Sequence, residues 1–207
     1  MLGALILAGG QAKRIKENKA LLQLGEKPLL FHVLEKIFDV THEIVVVIGK
    51  RDNPLEFKLL LPSKVILVQD KVYGQGPLGG IFTGFKRMQS EYALVTPVDS
   101  PFIKKSLLEY LISKASSANA VIPLWPNGNL EPLHAIYRIS AVIPAAKNAI
   151  INGEFQMLKI VKKLRNVTYL NTDYLRRFDK KLLTFFNIND RNDLEVARNL
   201  FKGFALK

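Results

Sequence analysis

Apolar residues fall into short unbroken runs at 4–7, 44–48, 65–68, 92–96, 120–122 and 135–137. Between these runs they recur every three or four positions. Unbroken runs are the pattern of strands buried on both faces, and the longer period is that of amphipathic helices. Leu29, Leu30, Val33, Leu34, Ile37 and Phe38 carry the helical period clearly, with Pro28 suited to that helix's first turn. Further helices are expected over 80–88, 106–117, 140–151 and 194–201. Strands alternating with helices in this order predict an α/β fold, with a mainly parallel central sheet flanked by helices. No repeat and no low-complexity linker divides the chain, so one domain is expected over 1–207. The densest turn cluster, Pro123-Leu124-Trp125-Pro126-Asn127-Gly128-Asn129, predicts a hairpin or crossover loop.

The breaks in the pattern carry the chemistry. The first run ends in Leu7-Ala8-Gly9-Gly10, with Arg14 and Lys19 soon after. Adjacent glycines let a backbone approach a bulky anion, and the two cations supply full charges that amides lack. The spacing matches neither the P-loop nor the dinucleotide fingerprint. A second glycine-rich segment, Gly74-Gln75-Gly76-Pro77-Leu78-Gly79-Gly80, is expected to form a loop leading into the helix over 80–88. Asp99 stands at the end of the fourth apolar run, between Pro97 and Pro101. A carboxylate at a strand's carboxyl end suits Mg²⁺, which takes one or two carboxylates together with phosphate oxygens; a turn or a helix cap is the alternative. Asp70 follows the third run and suits a ribose hydroxyl or a turn. Asn187 and Asn189 alternate in an extended segment, and Asp190 is a natural N-cap for the last helix.

Composition narrows the choice. Thirty Lys and Arg against eighteen Asp and Glu leave a net charge of +12, which favours polyanionic partners. The basic residues are dispersed, so pairs such as Lys162-Lys163 and Lys180-Lys181 read as solvated faces, and no nucleic-acid recognition module occurs. The absence of cysteine excludes disulfides, thiolate nucleophiles and cysteine-ligated metals. His32 and His42 lack a metal-ligand pattern. The first apolar run is too short for a signal or membrane helix, so a soluble cytoplasmic protein without membrane attachment is expected.

Leu7-Ala8-Gly9-Gly10-Gln11-Ala12-Lys13-Arg14-Ile15, followed by Asn18-Lys19-Ala20-Leu21-Leu22, resembles the opening signature of the molybdenum cofactor guanylyltransferases. Gly76-Pro77-Leu78-Gly79-Gly80-Ile81, Pro97-Val98-Asp99-Ser100-Pro101-Phe102, Glu131-Pro132-Leu133-His134-Ala135-Ile136-Tyr137 and Phe185-Phe186-Asn187-Ile188-Asn189 are similar to the later blocks, in order. The resemblance spans almost the whole chain. It implies a single Rossmann-like nucleotidyltransferase domain, nucleotide-binding over about residues 1–105 and acceptor-binding over about 106–207. It further implies transfer of GMP from GTP to molybdenum-molybdopterin, with a molybdenum-insertion protein or a recipient molybdoenzyme as protein partners. In that frame Asp99 holds Mg²⁺, while Lys19, Asp70 and the backbone of Leu7, Ala8, Gly9 and Gly10 bind nucleotide. Arg14 neutralises phosphate, and Gly79, Gly80, Asn187 and Asn189 face the acceptor. Related enzymes that transfer CMP, or that act on sugar or polyol phosphates, are the alternatives; a nucleic-acid-binding protein and a noncatalytic scaffold fit less well. The chain departs from the family pattern at Ile15-Lys16, where Met-Gly is usual, at Asn18, where an aspartate is usual, and at Gly49-Lys50, where an asparagine often stands.

Overall fold

The computed structural model describes residues 1–9, 18–70 and 76–205, with side chains through residue 203. Its strands are β1 (Leu2–Leu7), β2 (Gln23–Leu24), β3 (Lys27–Pro28), β4 (Glu43–Ile48), β5 (Val65–Gln69), β6 (Tyr92–Pro97), β7 (Ala120–Leu124), β8 (Ala135–Arg138) and β9 (Val167–Asn171). Its helices are α1 (Leu29–Phe38), α2 (Pro54–Leu60), α3 (Gly76–Phe85), α4 (Lys105–Ser113), α5 (Ile139–Ile151), α6 (Met157–Lys163), α7 (Thr172–Leu175) and α8 (Arg191–Ala205). Seven strands form one sheet in the order β5-β4-β1-β6-β8-β7-β9, and β2 and β3 pair separately as a small hairpin. Among the described residues only β8 runs against its neighbours in the large sheet; the other pairings there are parallel.

Alternation along the strands divides the interior into two layers. Ala4, Ile6, Ile44, Val46, Ile48 and Leu94 pack with Leu30, Val33, Leu34 and Ile37 of α1 and Leu107, Leu108 and Leu111 of α4. Leu5, Val45, Val47, Ala93 and Val95 point the other way, against α3, α5 and α6. Helix α3 lies so close to the sheet that a Cβ on Gly84 would meet Leu5 Cδ1 at 2.2 Å and Val47 Cγ2 at 3.0 Å. A third cluster of Leu22, Leu24, Leu29, Phe102, Ile188, Leu194 and Ala197 fastens α8 and the segment before it to the β2–β3 hairpin and the loop after β6. That cluster brings the C-terminal part of the chain onto the N-terminal half.

The expected helices shift at their ends. Pro28 stands just before α1 as its N-cap, not inside its first turn. Of the expected loop 74–80, Gly74 and Gln75 lie outside the described residues, and Gly76 to Gly80 form the first turns of α3, with Pro77 in the opening turn, where its missing N–H costs nothing. The turn cluster at 123–129 is a hairpin loop between antiparallel β7 and β8, with Gly128 at φ 85°. Strand β9 escaped the hydrophobic pattern because it is an edge strand, whose exposed Tyr169 and Asn171 interrupt any apolar run.

Chain order and spatial order part company at β1. The chain proceeds from β1 outward to β4 and β5, then returns to place β6 on the other side of β1. Ligand crevices in open α/β sheets form outside the carboxyl ends of the strands at such a reversal. Leu7 stands opposite both Val47 and Pro97, so the loops after β1, β4 and β6 leave the sheet along one rim.

Candidate active site

Lys19 opens a single 3-10 turn, Lys19–Leu21, whose N-cap is Asn18: the Asn18 side chain accepts a hydrogen bond from the Ala20 amide at 2.9 Å. From that turn the Lys19 Nζ reaches Asp99 Oδ2 at 2.5 Å and Asn189 Oδ1 at 2.9 Å. The lysine and aspartate side chains are 16% and 14% exposed, so the pair is shielded yet open to a ligand. An ammonium group carries three protons. Among the described residues Asp99 and Asn189 take two, and a phosphate oxygen suits the third.

Each partner is held from behind. The Val98 amide donates to the Leu7 carbonyl at 3.0 Å, and the Ile188 amide to the Asp99 carbonyl at 2.9 Å, tying the loop after β6 to β1 on one side and to the C-terminal segment on the other. Asn189 donates its amide to Asp193 Oδ2 at 2.8 Å. Asp190 and Asp193 exchange backbone-to-carboxylate bonds at 3.2 and 3.0 Å, a reciprocal cap that starts α8 and bears out Asp190 as its N-cap.

Asn187 has different partners. Its Oδ1 accepts from Ser100 Oγ at 2.5 Å, and Ser100 Oγ lies 2.9 Å from His134 Nε2. Glu131 stands 3.7 Å from His134 Nδ1 and accepts the Trp125 indole N–H at 2.6 Å. Burial raises the Glu131 pKa, but the His134 ring and the Trp125 indole outweigh it and leave the carboxyl below its ordinary value. This row, Trp125–Glu131–His134–Ser100–Asn187, braces the residue following Asp99. Sequence reasoning missed it as a unit. Ser100, Glu131, His134 and Asn187 stood in the quoted blocks, but nothing in their spacing says that His134 and Asn187 meet at Ser100.

The remaining expected residues are placed as follows. Gly10 and Arg14 lie outside the described residues. The Ala8 amide donates to the Val47 carbonyl at 2.8 Å and the Leu7 carbonyl accepts from Val98, so these two groups extend the sheet. Gly9 is set by close approach: a Cβ there would come within 2.5 Å of the Gly49 nitrogen. Asp70 stands on the same rim, donating its amide to the Ile48 carbonyl at 2.8 Å and accepting from the Thr83 hydroxyl at 2.9 Å. Gly79 and Gly80 are buried in α3, and a Cβ on Gly80 would meet Leu7 Cδ2 at 3.1 Å. Asn18 donates its amide to Asp52 Oδ1 at 2.8 Å, a contact no sequence signal indicated.

Two observations bound the chemistry. Among the described residues no three His, Asp or Glu side chains gather into a metal cage. Asp99 offers a single carboxylate beside a lysine, which fits an ion held mostly by phosphate oxygens. A separate cavity of about 600 Å³, lined by His32, Phe102, Lys104 and Phe201 among others, includes neither Lys19 nor Asp99.

Residues 4–167 match the family model of the MobA-like NTP transferase domain. The chain belongs to that family. This MobA-like chain is 35% identical over 199 residues to a Methanosarcina mazei protein named probable molybdenum cofactor guanylyltransferase, an alignment covering 93% of this chain and 88% of the relative. It superposes with a TM-score of 0.80 and 31% identity on molybdopterin-guanine dinucleotide biosynthesis protein A from Archaeoglobus fulgidus, covering 98% of this chain and 100% of that one. A 2-C-methyl-D-erythritol 4-phosphate cytidylyltransferase from Thermus thermophilus shares the fold alone, at a TM-score of 0.70, 17% identity, and coverage of 98% and 100%. The MobA-like assignment makes the chain a nucleotidyltransferase.

Proposed function

We propose that this chain transfers GMP from GTP to molybdenum-molybdopterin, releasing pyrophosphate and forming molybdopterin guanine dinucleotide. The observation that carries this reading is the meeting of Lys19, Asp99 and Asn189 at the β1–β6 rim, in a chain whose relatives include a probable molybdenum cofactor guanylyltransferase and a molybdopterin-guanine dinucleotide biosynthesis protein A.

In the proposed reaction an oxygen of the acceptor's terminal phosphate attacks the α-phosphorus of GTP. A new phosphorus–oxygen bond forms as the bond to the bridging oxygen of the β-phosphate breaks, and pyrophosphate leaves with the electron pair. No side-chain nucleophile is needed; the protein's contribution is alignment and charge stabilisation. Lys19 holds its ammonium beside the phosphates, kept in place by Asp99 and Asn189. Asp99 is the residue to hold Mg²⁺, an ion that would neutralise phosphate charge when bound. Asp70 serves the nucleoside, Arg14 serves phosphate, and the C-terminal segment around Asn187 and Asn189 lies toward the acceptor. A cytoplasmic site of reaction is part of this proposal. Among the described residues no helix is long and apolar enough to cross a membrane.

The direct test is transfer to molybdenum-molybdopterin from labelled GTP and labelled CTP in parallel, with Mg²⁺ present and then chelated. GMP transfer that stops on chelation is expected. Preference for CTP, or no nucleotide transfer to this acceptor, would overturn the assignment, and unchanged turnover without Mg²⁺ would remove the metal from Asp99.

A further inference from the structure

The loop after β4 reaches the cluster around Lys19 through one carboxylate. Asp52 uses both oxygens. Its Oδ2 accepts the Gly49 amide at 2.6 Å, closing the turn that ends β4, and its Oδ1 accepts the Asn18 amide at 2.8 Å. The opposite end of the Asn18 amide accepts from Ala20 N at 2.9 Å, so both ends of that group are committed and its orientation is determined. The turn itself is stiff. Gln69 Nε2 lies 3.0 to 3.4 Å from the carbonyls of Gly49, Lys50 and Asp52, and Gly49 is pressed against Gly9.

We propose that Asp52 is a positioning residue for Lys19, acting through Asn18, and that carboxylate and amide form a matched pair that can be exchanged between the two positions. The inference rests on the reading of Lys19 as a nucleotide-gripping residue. A rigid turn at the end of β4 holds Asp52, Asp52 orients the Asn18 amide, and Asn18 caps the turn whose first residue is Lys19. The ammonium therefore meets Asp99 and Asn189 from a base anchored in the sheet.

The hydrogen-bond inventory makes the pair testable. In Asn18→Asp two carboxylates face each other across a hydrogen-bond distance. In Asp52→Asn the new amide must keep its oxygen on the Gly49 amide and turn its NH₂ toward the NH₂ of Asn18; rotating Asn18 to relieve this uncaps Ala20. In the double variant every bond returns: the carboxylate now at position 18 accepts from Ala20 and from the amide at position 52, whose oxygen keeps Gly49.

Nucleotide affinity of the full chain with Mg²⁺, KM and kcat for GTP, and amide hydrogen exchange at residues 18–22 would be measured for the four proteins. Each single variant is expected to weaken nucleotide binding and raise KM by about tenfold, with exchange at Ala20 accelerated by a similar factor, as fits the loss of one charge-assisted hydrogen bond. The double variant is expected to return within about threefold of the parent, a coupling that independent sites do not show. On a Lys19→Ala background the single substitutions should alter affinity no further. Unchanged affinity in the single variants, or losses that merely add in the double, would overturn the positioning role, as would a lowered melting temperature with KM unaltered. A parent protein that binds neither GTP nor CTP would instead overturn the reading of the site, and the exchange data would then decide whether the Asn18–Asp52 pair still orders the turn.

Discussion

At the scale of single residues, the site places opposite demands on two carboxylates. Asp99 faces the crevice beside Lys19, and replacing it by Asn keeps its shape and its backbone bond from Ile188 while removing the charge. Asp99→Asn is therefore expected to lower Mg²⁺-dependent GMP transfer by about 100-fold or more, with the melting temperature little changed; kinetics and thermal unfolding on one preparation check both. Glu131 is held below its ordinary carboxylate value, against its burial, by His134 and Trp125. A lowered folded-state value contributes stability that is present above the unfolded pKa and lost as pH falls through the folded one. Stability measured by denaturant unfolding should thus fall on acidification below about pH 5, and Glu131→Gln should flatten that slope. An unaltered slope would dissociate Glu131 from acid sensitivity.

Among the elements, α3 shows how closely a helix is fitted to the sheet that carries the site. Gly80 and Gly84 lie one turn apart on its inner face, the first over Leu7 at the rim and the second over Leu5 and Val47. Gly84→Ala gains up to about 1 kcal/mol of helix propensity, but its methyl must displace the fully buried Leu5. Overpacking of this kind costs about 1–3 kcal/mol. A net loss of stability of about 1–2 kcal/mol is expected, read from the denaturant midpoint, with GTP affinity weakened because β1 shifts beneath the Lys19–Asp99 pair. The glycines at 79 and 80 were legible as special but not as packing residues. Composition marks a Gly-rich segment equally well when it wraps a ligand and when it lets a helix approach a strand.

For the whole molecule, the site joins segments from both ends of the chain. Lys19 and Asn189 stand 170 residues apart and meet only because α8 packs on the β2–β3 hairpin through Leu22, Leu24, Leu29, Ile188 and Leu194. A ligand gripping both ends stabilises the fold by mass action, by about 2.7 kcal/mol at one hundred times its dissociation constant. GTP with Mg²⁺ should therefore raise the melting temperature of the intact chain, and do so far less for Lys19→Ala. An equal shift in the two proteins would place the nucleotide elsewhere.

How much was readable beforehand follows the range of the forces involved. Buried strands and amphipathic helices write their periods into the sequence, so β1, β4, β5, β6 and α1 were legible from local pattern alone, as was Asp190 at the start of α8. Chemically distinctive residues with no local duty, Lys19 and Asp99 above all, also stood out, and so did membership in a nucleotidyltransferase family. The order of the strands in the sheet, the meeting of Lys19 with Asp99 and Asn189, the brace from Trp125 to Asn187 and the Asn18–Asp52 pair were decided by tertiary structure. Each depends on groups tens of residues apart, such as Asn18 with Asp52, Lys19 with Asp99 and Ser100 with Asn187, brought together by the order of the strands, and no spacing along the chain encodes such a meeting.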